Sequence, residues 1–204
     1  MPRPRSLSPD RLAEATVAVV DRDGLGALTM RTVATELGMS TMALYRYVSD
    51  RDELELLAVE WVLRDLDTTA PTGDDPPDRL RALAQRVRDT VGAHPGTVPL
   101  LVRHRHRSGT LLRWSETVAR ILHDAGLDGT RRVVALRALL SYLIGALQLE
   151  HLGPLSGPGT TVIAHLPEAE FPYMSDTARQ ARTVPADDEF AGGLDLLLRG
   201  LAAG

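Results

Sequence analysis

Between Thr29 and Ser49 the helix-stopping and helix-starting residues stand so close together that the chain has room for only two very short helices and one tight turn. Thr29 is a good N-cap, because its hydroxyl can accept one of the backbone N–H groups that a helix start leaves unpaired. Gly38 can take the left-handed backbone that ends a helix, and Ser40 can cap the next one. The spacing predicts helices at Met30 to Leu37 and Thr41 to Tyr47. Val33, Ala34 and Leu37 of the first, with Leu44 and Val48 after the turn, supply an inward face, and small Ala34 and Gly38 permit a close crossing.

The same signals extend along the chain. Ser8 followed by Pro9 starts a helix that Gly24 ends, with Leu12, Ala15, Val19 and Val20 on one face. Ser49 is the expected cap of a fourth helix reaching Leu66, with Asp50, Asp52 and Glu53 at its positive end. Thr68 to Asp78 is rich in Pro, Gly and Asp and reads as a linker. Beyond it, helices are expected at about 77–93, 98–105, 110–125, 130–151 and 188–202, with shorter pieces near 171–182 and a loop from Leu152 to Pro167. Leu, Ala and Val supply most of a 44% hydrophobic content and aromatics only 4%, a mix that suits helices better than sheets. The fold expected is all-α: an N-terminal three-helix bundle with a helix-turn-helix in residues 1–52, then a larger helical domain in residues 53–204.

Composition narrows the function by exclusion. With no cysteine, disulfides and thiolate metal sites are ruled out. No His-Glu-x-x-His, Gly-x-Ser-x-Gly or phosphate loop is present, so no catalytic residue, metal or cofactor is expected. The prolines in the glycine-rich stretch Leu152 to Gly159 remove N–H donors that a phosphate cradle needs. The most apolar run, Val133 to Leu149, is interrupted by Arg137, Ser141 and Gln148, and no signal peptide opens the chain, so a cytoplasmic protein without a membrane partner is expected. A net charge of -4 gives no general case for nucleic acid. The placement of side chains must make that case.

It does so on the second short helix. Ser40, Thr41, Met42, Tyr45, Arg46 and Tyr47 are left on its outward side: hydroxyls for phosphates or base edges, a thioether for thymine methyls, and no carboxylate to repel the backbone. The string Leu28-Thr29-x-Arg31-x-Val33-Ala34-x-x-Leu37-Gly38-Met39-Ser40-x-x-Ala43-Leu44-Tyr45-x-Tyr47-Val48, followed by Arg51-Asp52-Glu53-Leu54, resembles the amino-terminal signature of the tetracycline-repressor (TetR) family almost position for position. Over about a quarter of the chain, its apolar, turn and aromatic positions are all correctly spaced.

The resemblance implies a ligand-responsive DNA-binding regulator, a repressor in most relatives, acting as a homodimer on a double-stranded, palindromic operator. It makes Thr29 and Arg31 phosphate or base contacts, turns Ser40, Thr41, Met42, Arg46 and Tyr47 toward the groove, and makes Tyr45 a phosphate anchor. Arg51 becomes a phosphate contact where the family usually has Lys. Taken singly, Tyr45 and Tyr47 read as half-buried aromatics and Arg31 and Arg51 as solvated charges; together, in this frame, they read as an interface. A basic arm with Arg3 and Arg5 has two readings, a minor-groove contact or a solubilising tail.

Beyond the linker, the nearly all-round apolar helix from Thr130 to His151 fits burial by more than one subunit, and the last helix sets Phe190, Gly193, Leu194, Leu197, Gly200 and Leu201 for close helix contact. This tail is also similar to the family's carboxyl-terminal helix, which implies dimerisation through C-terminal helices. The effector pocket that the family carries is expected among Trp61, Arg103, His104, Trp114, Tyr142, Gln148, His151, Phe171 and Tyr173, polar or aromatic groups in apolar segments; Trp114 and Tyr142 read more readily as core. His94 to Val98 does not reproduce the family's magnesium-tetracycline pattern. The run Arg103 to Arg107 reads as a solvated basic segment. The rival classes are an α-helical adaptor for protein, or a small-molecule-binding protein without sequence-specific DNA binding.

Overall fold

The computed structural model describes residues 7–73 and 75–202, so the arm bearing Arg3 and Arg5 lies outside the described residues. Among these the chain is all helical. The helices are α1 (Pro9–Asp23), α2 (Met30–Glu36), α3 (Thr41–Leu44), α4 (Arg51–Val62), α5 (Pro76–Val91), α6 (Val98–His104), α7 (Gly109–Asp124), α8 (Gly129–Leu152), α9 (Pro158–Ala164), α10 (Pro172–Ala181) and α11 (Ala186–Ala202), with 3-10 turns at Leu25–Ala27 and Pro95–Thr97. They form two compact units. One holds the chain up to Pro71 together with Gln85–Arg120; the other holds Thr72–Ala84 and the chain from Ile121 onward.

In the first unit α1 lies along α4. Leu12, Val17, Val19 and Val20 of α1 and Leu54, Ala58, Val59 and Val62 of α4 are all at most 3% exposed, and each large side chain so buried contributes about 1.5–3 kcal/mol. The start of α1 is the expected one: Ser8 Oγ accepts from Arg11 N at 3.3 Å and Pro9 follows. The start of α4 is not. Asp50, rather than Ser49, is the N-cap, its Oδ1 accepting from Glu53 N at 2.8 Å, while Ser49 N donates to Glu53 Oε2 at 2.7 Å. A carboxylate is the stronger acceptor at the positive end of a helix, and it displaces the hydroxyl. α4 also stops at Val62, short of Leu66, where Arg64 folds back to donate to the Trp61 carbonyl at 2.7 Å. Leu63 and Leu66 stay buried in the turns that follow.

The turn between α2 and α3 is closed by a pair of hydrogen bonds, Gly38 N to Thr35 O at 3.0 Å and Met39 N to Ala34 O at 2.9 Å. Together with a φ of 67° at Gly38 this is the Schellman stop. Val33, Ala34, Leu44 and Val48 are buried as expected. Leu37 is only half-buried, because it is the C-cap of α2 and sits at the rim of the turn.

α6 packs on α4, and a charged cluster fixes that contact. Glu55 is wholly buried. Its Oε2 lies 2.9 Å from His104 Nε2 and 2.9 Å from Arg103 Nη1, and its Oε1 accepts from Arg51 Nε at 2.7 Å and Arg103 Nη1 at 3.2 Å. Burial pushes the Glu55 carboxyl up, but the hydrogen bonds from His104, Arg51 and Arg103 and the Arg103 charge outweigh it and hold the group below the ordinary carboxylate range. One turn earlier Asp52 pairs with Arg107. The basic run from Arg103 to Arg107 is thus solvated in part: Arg103, Arg105, His106 and Arg107 are exposed, but Arg103, His104 and Arg107 turn toward acids on α4, and His104 is 1% exposed. The segment leading into α6 is tied down as well, His94 Nδ1 lying 2.7 Å from Asp21 Oδ2 of α1 and its ring 5.5 Å from that of Trp61.

In the second unit α8 buries Ala135, Leu139, Leu143 and Leu147, one every fourth residue, and α11 buries Phe190, Leu194 and Leu198. Tyr142 hydroxyl donates to the Phe190 carbonyl at 2.5 Å. A Cβ on Gly193 would stand 2.7 Å from that hydroxyl, so the close approach of α8 and α11 requires glycine there. The expected loop after Leu152 contains α9, which begins with Pro158 at its first position, where a missing N–H costs nothing, and packs on α10.

Two outcomes are expected. Gly38→Ala meets no steric clash but must adopt positive φ, and thermal or denaturant unfolding should show a loss of about 1 kcal/mol. Glu55→Gln should cost about 1–3 kcal/mol through its charged hydrogen bonds. Because the Glu55 pKa is lower in the folded state than its ordinary 4.5, the carboxylate's contribution is complete above 4.5 and is lost as the pH falls through the folded value. The stability gap between wild type and Glu55→Gln should therefore close in acid when unfolding is followed as a function of pH.

Candidate DNA-reading surface

α3 occupies only Thr41–Leu44, and Tyr45, Arg46 and Tyr47 continue it as a tighter turn, with Arg46 N bonded to Ala43 O at 3.3 Å and Tyr47 N to Leu44 O at 2.9 Å. The expected single rod to Tyr47 is thus a helix of about one turn with a 3-10-like end. The outward side chains nonetheless stay contiguous: Met42 is 76% exposed, Tyr45 46% and Tyr47 41%. Ser40 and Arg46 are exposed, and Thr41 is half-buried. An exposed thioether and two exposed rings thus stand within six residues around the buried Leu44.

Two of the hydroxyls already hold helix ends. Ser40 Oγ accepts from Ala43 N at 3.2 Å. Thr29 Oγ1 accepts from Thr32 N at 3.1 Å, while Thr29 N donates to Thr32 Oγ1 at 2.9 Å, a reciprocal capping box. A hydroxyl retains a donor and a second lone pair after accepting one bond, so capping fixes these groups in place without using them up. Arg31 is exposed one position into α2. Among the described residues no carboxylate pairs with Arg31 or Arg46, and both positive charges are directed to solvent. Arg51, the first residue of α4, differs: its Nε is held by Glu55 and its side chain is 42% exposed.

The residues expected around an effector fall in both compact units. In the first, Trp61 is half-buried beneath the Arg64 guanidinium, 3.9 Å from its ring, Trp114 is core at 2% exposure, and Arg103 and His104 are engaged with Glu55. In the second, Tyr142 reaches the α11 main chain and Gln148 is half-buried on α8. His151, Phe171 and Tyr173 are exposed, Tyr173 at 86%.

Sequence reasoning missed Asp52 and Glu55. The available signal was an acid at position 55 between Leu54 and Ala58, on a stripe otherwise apolar through Val59 and Val62. Asp52, Glu55 and His104 bring one ligand atom each within 4.8 Å of one another, close enough to consider a metal ion. Charge decides against it. Arg51, Arg103 and Arg107 bind the two carboxylates, so three positive charges face two negative ones and a dication would enter a site already net positive. The cluster is an ion-pair joint.

Comparison with known proteins agrees with this geometry. Residues 12–56 match the family model described as bacterial regulatory proteins, tetR family, and residues 70–204 match that of the tetracyclin repressor-like C-terminal domain. The transcriptional repressor DrrR1 of Streptomyces coeruleorubidus is 33% identical over 146 residues, 71% of this chain and 54% of that repressor, so the chain spans about half the length of this relative. The class D tetracycline repressor protein of Escherichia coli is 26% identical over 205 residues, 95% of this chain and 88% of the repressor. The solved structure of SCO7222, a TetR regulator from Streptomyces coelicolor, superposes with a TM-score of 0.75 at 28% identity, covering 97% of this chain and 98% of that one. With the C-terminal model alone spanning well over half of the sequence and the N-terminal model lying on the helix-turn-helix, the chain belongs to the TetR family of bacterial regulatory proteins.

Proposed function

We propose that this chain is a repressor that binds a palindromic operator as a homodimer and is released by a small-molecule effector. The observation that carries the proposal is the exposed face of α3 and its turn, with Met42, Tyr45, Arg46 and Tyr47 outward and Arg31 beside them. In this reading α3 enters the major groove with Ser40, Thr41, Met42, Arg46 and Tyr47 facing the groove, Tyr45 and Arg51 hold the backbone, and Thr29 and Arg31 contact phosphate or base edges. Two such helices must sit about one DNA turn apart, roughly 34–36 Å, so an effector that moves α4 spoils the register.

The dimer reading is supported by apolar surface that the chain does not cover by itself. Val133, Val134 and Leu149 of α8 and Leu196 of α11 are each at least 60% exposed. α8 has the length and hydropathy of a membrane span, but Arg137 stands exposed in its middle and Arg131 near its start. Such charges oppose burial in lipid and suit a protein partner with a polar rim. α8 and α11 of a second copy are the proposed cover.

Three measurements test these assignments. Arg46→Ala should weaken binding to duplex DNA from the region upstream of this chain's own gene by about 1–3 kcal/mol, with little change in melting temperature; unchanged affinity would remove α3 from the interface. Tyr47→Ala should do the same, and unfolding of the domain instead would mark the ring as structural. Val134→Glu combined with Leu196→Glu should turn a dimer into a monomer in sedimentation and abolish tight operator binding. Absence of any salt-weakened DNA binding by wild type at low salt would favour a protein-binding adaptor.

A further inference from the structure

We infer that Glu55 governs the reach of Arg51 to a DNA phosphate, so that α6 controls one backbone contact directly through the side-chain relay Arg103/His104 to Glu55 to Arg51. The inference deepens the regulator reading above and rests on it. A carboxylate offers about four lone-pair sites, and those of Glu55 are filled: Arg51 Nε and Arg103 Nη1 on Oε1, Arg103 Nη1 and His104 Nε2 on Oε2. Because α6 supplies three of these four contacts, Arg51 is bound by its Nε edge alone. The guanidinium is a rigid planar fork, so holding Nε fixes the direction of the two Nη groups, which belong to a side chain 42% exposed at the first position of α4. The neighbouring acid, Asp52, is taken by Arg107 and leaves Arg51 to Glu55.

Turning the Arg103 and His104 side chains away while α6 still covers α4 would strip Glu55 of these donors and leave it enclosed. A buried carboxylate cannot stay unmatched, and the nearest replacement donor is Arg51, which satisfies both oxygens by turning its fork inward in the bidentate geometry that guanidinium and carboxylate favour. The Nη groups are then no longer available outside. Arg51 thus has two exclusive positions, inward on Glu55 or outward on a phosphate, and α6 selects between them without any rotation of α4. This makes Arg103 and Glu55 positioning residues for a DNA contact that neither of them touches.

The test is a double-mutant cycle read by salt dependence. Binding to duplex DNA from upstream of the chain's own gene is measured over a range of salt for wild type, Arg103→Met, Arg51→Gln and the double variant, with melting curves to confirm folding. Arg103→Met should lower affinity about three- to tenfold and reduce the slope of log affinity against log salt by about 0.9, the loss of one phosphate. Arg51→Gln should do the same, and the double variant should lose no more than either single one. In a Glu55→Gln background Arg103→Met should have no effect, and Arg103→Lys should recover most of the loss. Should Arg103→Met fail to fold, the polar Arg103→Gln takes its place in the cycle. Additive losses, or an unchanged salt slope in folded Arg103→Met, overturn the relay while leaving the regulator reading intact. Wild type without salt-dependent DNA binding overturns both.

Discussion

A carboxylate sealed from water must be matched by donors, and Glu55 is matched by groups from two directions. Arg51 reaches it from the first turn of α4, and Arg103 and His104 from the end of α6. The requirement that all of these remain in place is stricter than any apolar contact in the same unit. A shifted leucine loses stability in proportion to the apolar area it uncovers, whereas a buried charge that loses a donor forfeits the full cost of its desolvation. The joint is therefore of an all-or-none kind. It stands between the helix that follows α3 and the helix that precedes α7, and the His94 pair with Asp21 holds the other end of the same segment to α1.

Most of the fold was legible because it is written in local signals. Ser8-Pro9, Thr29, Gly38 and Ser40 mark helix ends by their own hydrogen-bonding capacity, and each performs its expected role. The misreadings share a cause. Asp50 outcompetes Ser49 as a cap, Arg64 ends α4 without a glycine, and α9 starts from a proline inside a stretch that reads as loop. In all three a side chain of one element settles a boundary that composition alone leaves open. The outward residues of α3 were legible for the opposite reason, since they are polar or aromatic positions that nothing in the chain needs for packing.

The charged joint could not be read in the same way. Arg103 to Arg107 looks like a solvated run because five basic or histidine residues in a row have no local partner, and the acids that claim three of them lie about fifty positions earlier. Pairing at that separation is a property of tertiary packing. The same holds for the expected effector residues, several of which have their polar atoms spoken for: Tyr142 by the α11 main chain, His104 and Arg103 by Glu55. Aromatic or polar character within an apolar segment indicates that a group needs a partner, without indicating whether that partner is a ligand or another helix.

The Tyr142 hydroxyl on the Phe190 carbonyl, with Gly193 beneath the ring, sets more than a distance. Apolar packing alone allows one helix to roll against another, since leucines interdigitate almost equally well at several azimuths. A directional bond from a rigid phenol to one main-chain atom removes that freedom and keys α11 at a single angle about its own axis. Leu196 and the residues beside it are consequently presented outward at a defined orientation, so a second copy of the chain would meet a ready-made template and pay little entropy to organise it.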